Sequence, residues 1–152
     1  MQPKIDLTAL TVDLRAHGFR GEVEADPALR AAMSTDNSVY SITPDVIVAP
    51  VDAADVVALM RGLSLPRWSD LPITARGGGT GTNGQSLNRG VIVDMRRHMT
   101  RLLAVNPSEA WAEVEPGMVL DDLNRQLCPH GLFFAPETST SSEVAVFYDN
   151  GS

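Results

Sequence analysis

The stretch Ile73-Thr-Ala-Arg-Gly-Gly-Gly-Thr-Gly-Thr-Asn-Gly-Gln-Ser-Leu87 decides how this chain is read. Its glycines, interleaved with Thr80, Thr82 and Asn83, let a backbone approach an anion closely, with amide N–H groups and hydroxyls as donors. A diphosphate is the natural guest; a tight glycine-rich turn without a ligand is the plain alternative. Arg76 would add a cation, or pair equally well with a structural carboxylate. Gly79-x-Gly81-x-x-Gly84 formally matches the dinucleotide fingerprint, but that motif needs a helix to open directly after the turn. Here the strand Val91-Ile-Val-Asp-Met95 arrives first, and Ser86-Leu-Asn-Arg-Gly90 is too short for a crossover helix. Asp94 also sits too deep in that strand to be the ribose acid. A nicotinamide-binding Rossmann domain is rejected on these grounds. A P-loop fails too, because Gln85-Ser86 stands where Lys-Ser/Thr is required.

Outward from the loop, the pattern is one of short strands and helices. Leu71 to Ala75 enters the loop as a strand, and Asp45-Val-Ile-Val-Ala-Pro50 holds an earlier apolar strand that Pro50 ends. Asp52 to Arg61 reads as a helix with Val56, Val57 and Met60 facing inward. Leu7, Leu10 and Leu14 recur at helical spacing before Gly18, and Asp26 can cap a second short helix from Pro27 to Met33. The polar stretch Ser34 to Ser38 reads as a turn. Beyond the loop, Leu102 to Val105 and Trp111 to Glu115 form a strand pair turning through Asn106-Pro107-Ser108, with Glu113 and Glu115 on a solvated face. Val119 to Leu127 is a helix with Val119, Leu120, Leu123 and Leu127 on one side, and Leu132 to Phe134 a last short strand. The order favours an α/β (α+β) architecture.

At 152 residues, the chain fits one globular domain and needs no disulfide. The single Cys128 has no CxxC or Cys/His cluster around it, so no protein-held metal centre is expected, and a reducing compartment is the simplest setting. A formal charge of -7 opposes nucleic-acid binding. No stretch approaches the roughly eighteen apolar residues of a membrane span, so a cytoplasmic chain is expected.

The glycine stretch resembles the pyrophosphate loop of FAD-linked oxidases of the vanillyl-alcohol oxidase type. Met33-Ser-Thr-Asp-Asn-Ser-Val-Tyr40, Val91-Ile-Val-Asp-Met-Arg-Arg-His-Met99, Val114-Glu-Pro-Gly117 and Phe133-Phe-Ala-Pro-Glu-Thr-Ser-Thr-Ser141 resemble, in that order, the opening of large FAD-linked dehydrogenases of D-2-hydroxyacids such as D-2-hydroxyglutarate or D-lactate. The resemblance implies the N-terminal subdomain of a PCMH-type FAD-binding domain, incomplete here. Residues 1–38 would be a helical extension, 39–142 the first part of the FAD domain, and 143–152 a divergent or truncated tail. It further implies non-covalent FAD, with Arg76, Gly77, Gly78, Gly79, Thr80, Gly81, Thr82, Asn83 and Gly84 around the diphosphate and Gln85 toward the flavin. Pro136, Glu137, Thr138, Ser139, Thr140 and Ser141 would meet the flavin from the other side; read without the resemblance they are an exposed polar loop. The family pattern breaks at Glu143-Val-Ala-Val-Phe-Tyr-Asp-Asn-Gly-Ser152, where a Gly-Gly-containing strand is expected. The substrate-binding and iron–sulfur portions of the large relatives also have no counterpart.

No residue reads as catalytic. His17 and His130 suit helix C-termini, and His98 lies near the cofactor or makes a structural turn contact. Cys128 reads as partly buried helix packing, and Asp121 and Asp122 suit a helix N-terminus. Trp111, Phe133, Phe134 and Phe147 read as core or partner-domain contacts, which implies self-association where nothing covers them. The leading expectation is therefore an FAD-binding portion of a D-2-hydroxyacid dehydrogenase, inactive alone. An interaction or structural domain that has lost the cofactor is the alternative from another class, and a small enzyme holding FMN or another phosphate ligand ranks below both.

Overall fold

A computed structural model describes residues 5–136 and 141–143. In chain order the elements are α1 (Leu7–Ala16), β1 (Glu22–Glu24), α2 (Pro27–Ala32), β2 (Val46–Ala49), α3 (Ala53–Leu63), β3 (Ile73–Arg76), β4 (Val91–Asp94), β5 (Leu102–Asn106), β6 (Trp111–Val114) and α4 (Leu120–Leu127), followed by a 3-10 turn over Cys128–His130. The mixed α+β architecture expected from the sequence is the one observed.

The runs Val46-Ile-Val-Ala49 and Val91-Ile-Val-Asp94 are buried along their whole length, as central parallel strands covered on both faces must be. They lie side by side in a four-stranded sheet of order β1-β2-β4-β3. β2, β4 and β3 run parallel, and β1, an edge strand that the sequence pattern had not revealed, pairs antiparallel with β2. β3 and β4 are adjacent and parallel, so their connection must cross the sheet's length. The glycine stretch makes that crossing without a helix, which is why the dinucleotide fingerprint fails.

α1 and α3 pack together on this sheet, enclosing Leu10, Leu14, Phe19, Leu59, Leu63 and Trp68 with Val46, Val48, Val91 and Val93. Residues 5–38 thus contribute α1, β1 and α2 to the same sheet and its covering. The inward face of α3 differs from the expected one. Val57 and Met60 are about half exposed, at 49% and 48%, and the buried stripe is Asp55, Ala58, Leu59, Gly62 and Leu63. Asp55 rotates the helix: its carboxylate accepts from the Val51 and Arg20 amides at 3.1 Å each and from Arg20 Nε at 3.0 Å. A buried carboxylate with several donors outweighs the pull of two apolar neighbours.

A second, smaller core lies between the β5–β6 hairpin and α4. Met118, Leu120, Leu123 and Leu127 are buried there against Leu102, Val105, Ala112, Val114, Leu132 and Phe134. Three expectations need correction here. Leu132 to Phe134 is not a strand, because the Asn124 side chain takes its backbone instead: Phe134 N–H donates to Asn124 Oδ1 at 2.8 Å and Asn124 Nδ2 to the Phe134 carbonyl at 3.3 Å. Glu115 is buried rather than solvated, accepting from Arg101 Nη2 at 2.6 Å and from the Arg101 amide at 2.9 Å. Cys128 is exposed, since it begins the 3-10 turn after the helix has ended.

Candidate functional site

The loop leaving Arg76 at the carboxyl end of β3 has an asymmetric hydrogen-bond inventory. Among the described residues, no backbone N–H from Gly77 to Thr82 finds a protein acceptor. Two of its carbonyls are held: Asn37 N–H donates to the Gly81 carbonyl at 3.1 Å, and Asn37 Nδ2 reaches the Thr80 carbonyl at 3.5 Å. Gly77 to Gly81 are half-buried. Partly buried backbone donors normally find a partner, so a run of open ones is a surface suited to an acceptor-rich group. Gly79 adopts φ +69°, and a Cβ there would run into the Arg76 guanidinium beneath. The Glu143 carbonyl stands where a Cβ of Gly78 would be, which brings the described end of the chain back onto the loop.

The support comes from the 33–40 turn. Asp36 accepts from the Ser38 amide at 2.8 Å and from the Ser86 hydroxyl at 3.1 Å, tying the turn to the far end of the glycine loop. Burial pushes the Asp36 carboxyl up, but the Ser38 and Ser86 hydrogen bonds and the charge of Arg76 outweigh it and hold it below its ordinary value. The Tyr40 ring packs on Gly84. Sequence reasoning matched this turn without giving it a task; Asp36 and Ser38 at Asx-turn spacing were the available signal.

Arg76 is buried and points under the loop, donating to the Thr35 carbonyl at 2.8 Å and the Met33 carbonyl at 3.4 Å. Burial draws its guanidinium down, opposed by the charges of Asp36 and Asp94. An open cavity of about 330 Å³ lies beside it, lined by Ala32, Met33, Arg76, Gly77, Gly78, Asp94, Arg96 and Arg97. It sits outside the carboxyl ends of β3 and β4, where open parallel sheets take their ligands.

The structure keeps Gly77 through Gln85 together on one loop, with Thr82, Asn83 and Gln85 exposed and Gln85 Oε1 folded back to accept from the Asn83 amide at 3.1 Å. Pro136 is exposed, and the Ser141 carbonyl accepts from the Asp121 amide at 3.3 Å. Glu137, Thr138, Ser139 and Thr140 lie outside the described residues. His98 Nε2 and Glu22 Oε1 share a hydrogen bond of 2.6 Å beside Arg97, a contact between the 95–100 turn and β1. Among the described residues, no group of three His, Cys, Asp or Glu is placed to hold a metal ion, and no helix is long and apolar enough to cross a membrane.

Residues 44–147 match the family model of an FAD binding domain. The chain belongs to this FAD binding domain family. It is 50% identical over 134 residues to D-2-hydroxyglutarate dehydrogenase of Escherichia coli (strain K12), covering 88% of this chain and 13% of that protein. The corresponding enzyme of Pseudomonas putida (strain KT2440) is 50% identical over 133 residues, with the same coverage. The chain therefore spans about an eighth of the length of these relatives. Among solved structures, an alkyldihydroxyacetonephosphate synthase superposes with a TM-score of 0.78 at 22% identity, over 95% of this chain and 29% of that one, a likeness of fold. The fold is that of the N-terminal part of a PCMH-type FAD-binding domain, and the cofactor of the family is FAD. The donor set fits it: open amides, a hydroxyl at Thr80 and cationic side chains at the cavity suit a diphosphate.

Proposed function

We propose that the Gly77–Asn83 loop holds the FAD diphosphate as part of an enzyme that oxidises D-2-hydroxyacids, and that this chain does not turn over alone. The observation that carries the reading is the run of open amides from Gly77 to Thr82 on a loop that Asn37 holds at the Thr80 and Gly81 carbonyls. Identity of 50% to two D-2-hydroxyglutarate dehydrogenases supports the substrate class. FAD, when bound, supplies the hydride acceptor. The chain's own residues bind and orient: the amides take the phosphate oxygens, Arg76 and the 33–40 turn fix the loop from below, and Gln85 faces the flavin side. The resemblance assigns Pro136 through Ser141, of which Glu137 to Thr140 lie outside the described residues, to the flavin. The substrate carboxylate clamp and the proton acceptor come from the remaining length found in the relatives, and that length is the natural partner of this chain.

Titration of the chain with FAD, followed by flavin fluorescence and with ADP as competitor, tests this reading. Saturable binding that ADP displaces is expected, together with no oxidation of D-2-hydroxyglutarate or D-lactate by the FAD-loaded chain with an artificial acceptor. A folded chain that ignores both FAD and ADP contradicts the cofactor assignment and favours an interaction domain; turnover contradicts the inactivity.

A further inference from the structure

Three arginines line the cavity beside Gly77 and Gly78, and two of them are committed elsewhere. Arg76 donates to the carbonyls of Thr35 and Met33. Arg97 pairs with Glu22 at 2.5 Å and Glu24 at 3.2 Å, and faces Asp94 at 3.6 Å. Arg96 is different. Its backbone N–H donates to Asp94 Oδ1 at 3.1 Å, which pins its Cα at the cavity wall. The residue is half-buried, and its guanidinium has no partner among the described residues. Asp94 is the sole carboxylate among the lining residues, and Glu22 and Glu24 neutralise Arg97 from outside the lining, so Arg96 is the lining guanidinium that no protein group among the described residues pairs with. A guanidinium on a half-buried residue with no counter-charge is a ready donor to an anion.

We propose that Arg96 is the cationic ligand of the cradle, its guanidinium pairing with a phosphate group that also takes the Gly77 and Gly78 amides, while Arg76 is a positioning residue that supports the loop from beneath. This assignment rests on the FAD reading above and redistributes its charges: the arginine inside the glycine motif is structural, and the one after β4 meets the ligand. A guanidinium suits the task because it stays charged at any working pH and makes charge-assisted hydrogen bonds to phosphate oxygens.

The test measures binding of ADP, FAD and adenosine by the 152-residue chain and its variants at two salt concentrations. R96Q is expected to weaken ADP and FAD by about tenfold, the loss of one charge-assisted contact, and to flatten the salt dependence. Adenosine binding and the thermal midpoint stay at their wild-type values. R96K retains the charge, and its ADP affinity falls within about threefold of wild type with an unchanged salt slope. R125Q, on the exposed face of α4, serves as the comparison for a remote lost charge and leaves ADP binding unaltered. ADP affinity in R96Q within twofold of wild type would overturn the Arg96 assignment and leave the FAD reading standing. Equal losses in R96K and R96Q would also overturn it, since packing rather than charge would then be at work. Absence of any ADP or FAD binding by the folded wild-type chain overturns both.

Discussion

Two loops of this chain solve the same problem in opposite ways. In the hairpin turn after β5, Asn106 Oδ1 accepts from the Glu109 amide at 3.2 Å and the Ser108 hydroxyl at 2.7 Å, while Glu109 accepts from Asn106 Nδ2 and Trp111 Nε1, each at 2.8 Å. That turn is satisfied by its own side chains. In the glycine loop the Thr80 and Gly81 carbonyls are tied to Asn37, while the amides from Gly77 to Thr82 find no protein acceptor among the described residues. Polar groups that a sequence leaves deliberately unpaired mark where a ligand belongs. Both loops are rich in turn residues, so composition alone would not separate them.

The comparison can be broken most severely at Gly79. Gly79→Val forces a β-branched residue into φ +69° against the Arg76 guanidinium, and is expected to abolish measurable ADP and FAD binding in a fluorescence titration. Next in size, Asp55→Ala removes a fully buried carboxylate that serves Val51 and Arg20; chemical denaturation should show a loss of about 3 kcal/mol. Burial pushes the Asp55 carboxyl up, but its hydrogen bonds with the Val51 and Arg20 amides and the Arg20 guanidinium hold it below its ordinary value. Glu115 is likewise held low, first by its hydrogen bond with Arg101. Both carboxyls are depressed in the folded state, so their contribution is complete above about pH 5.5 and is lost progressively as pH falls through the unfolded and then the folded values. Denaturation midpoints followed from pH 6 downward should decline in that window, and decline less in Asp55→Ala. Asn106→Ala should cost about 1 kcal/mol in stability and leave ADP affinity unchanged, which separates the self-satisfied turn from the ligand loop. The smallest effect is expected for Asn37→Ala, a roughly threefold weaker ADP affinity by calorimetry, because the backbone bond to Gly81 survives and only the long contact to Thr80 is lost.

What the sequence disclosed, it disclosed through periodicity and glycine. The apolar runs at Val46 and Val91, the helices beginning near Asp6, Asp26 and Asp52, the Asp26 cap, and the helix-free stretch between β3 and β4 were all readable. β1 escaped because Glu22-Val-Glu24 is short and polar, and its identity as a strand comes only from its pairing with β2. The burial face of α3 escaped because the donors that hold Asp55, on Val51 and Arg20, are set by tertiary placement. Leu132 to Phe134 looked like a strand because its pattern is apolar, yet a strand needs a neighbour and found a single asparagine side chain instead. At the site, the loop was legible and its support was not. Asn37, Asp36 and the committed state of Arg76 depend on a turn about forty residues upstream in sequence folding beneath the loop.

The most direct test of the account follows the backbone amides themselves. Amide resonances of the ¹⁵N-labelled chain, recorded during titration with ADP, should shift at Gly77 through Thr82 and stay fixed at Asn106 through Ala110. Shifts confined to other residues, or none at saturating ADP, would contradict the claim that this loop's open donors are its binding surface.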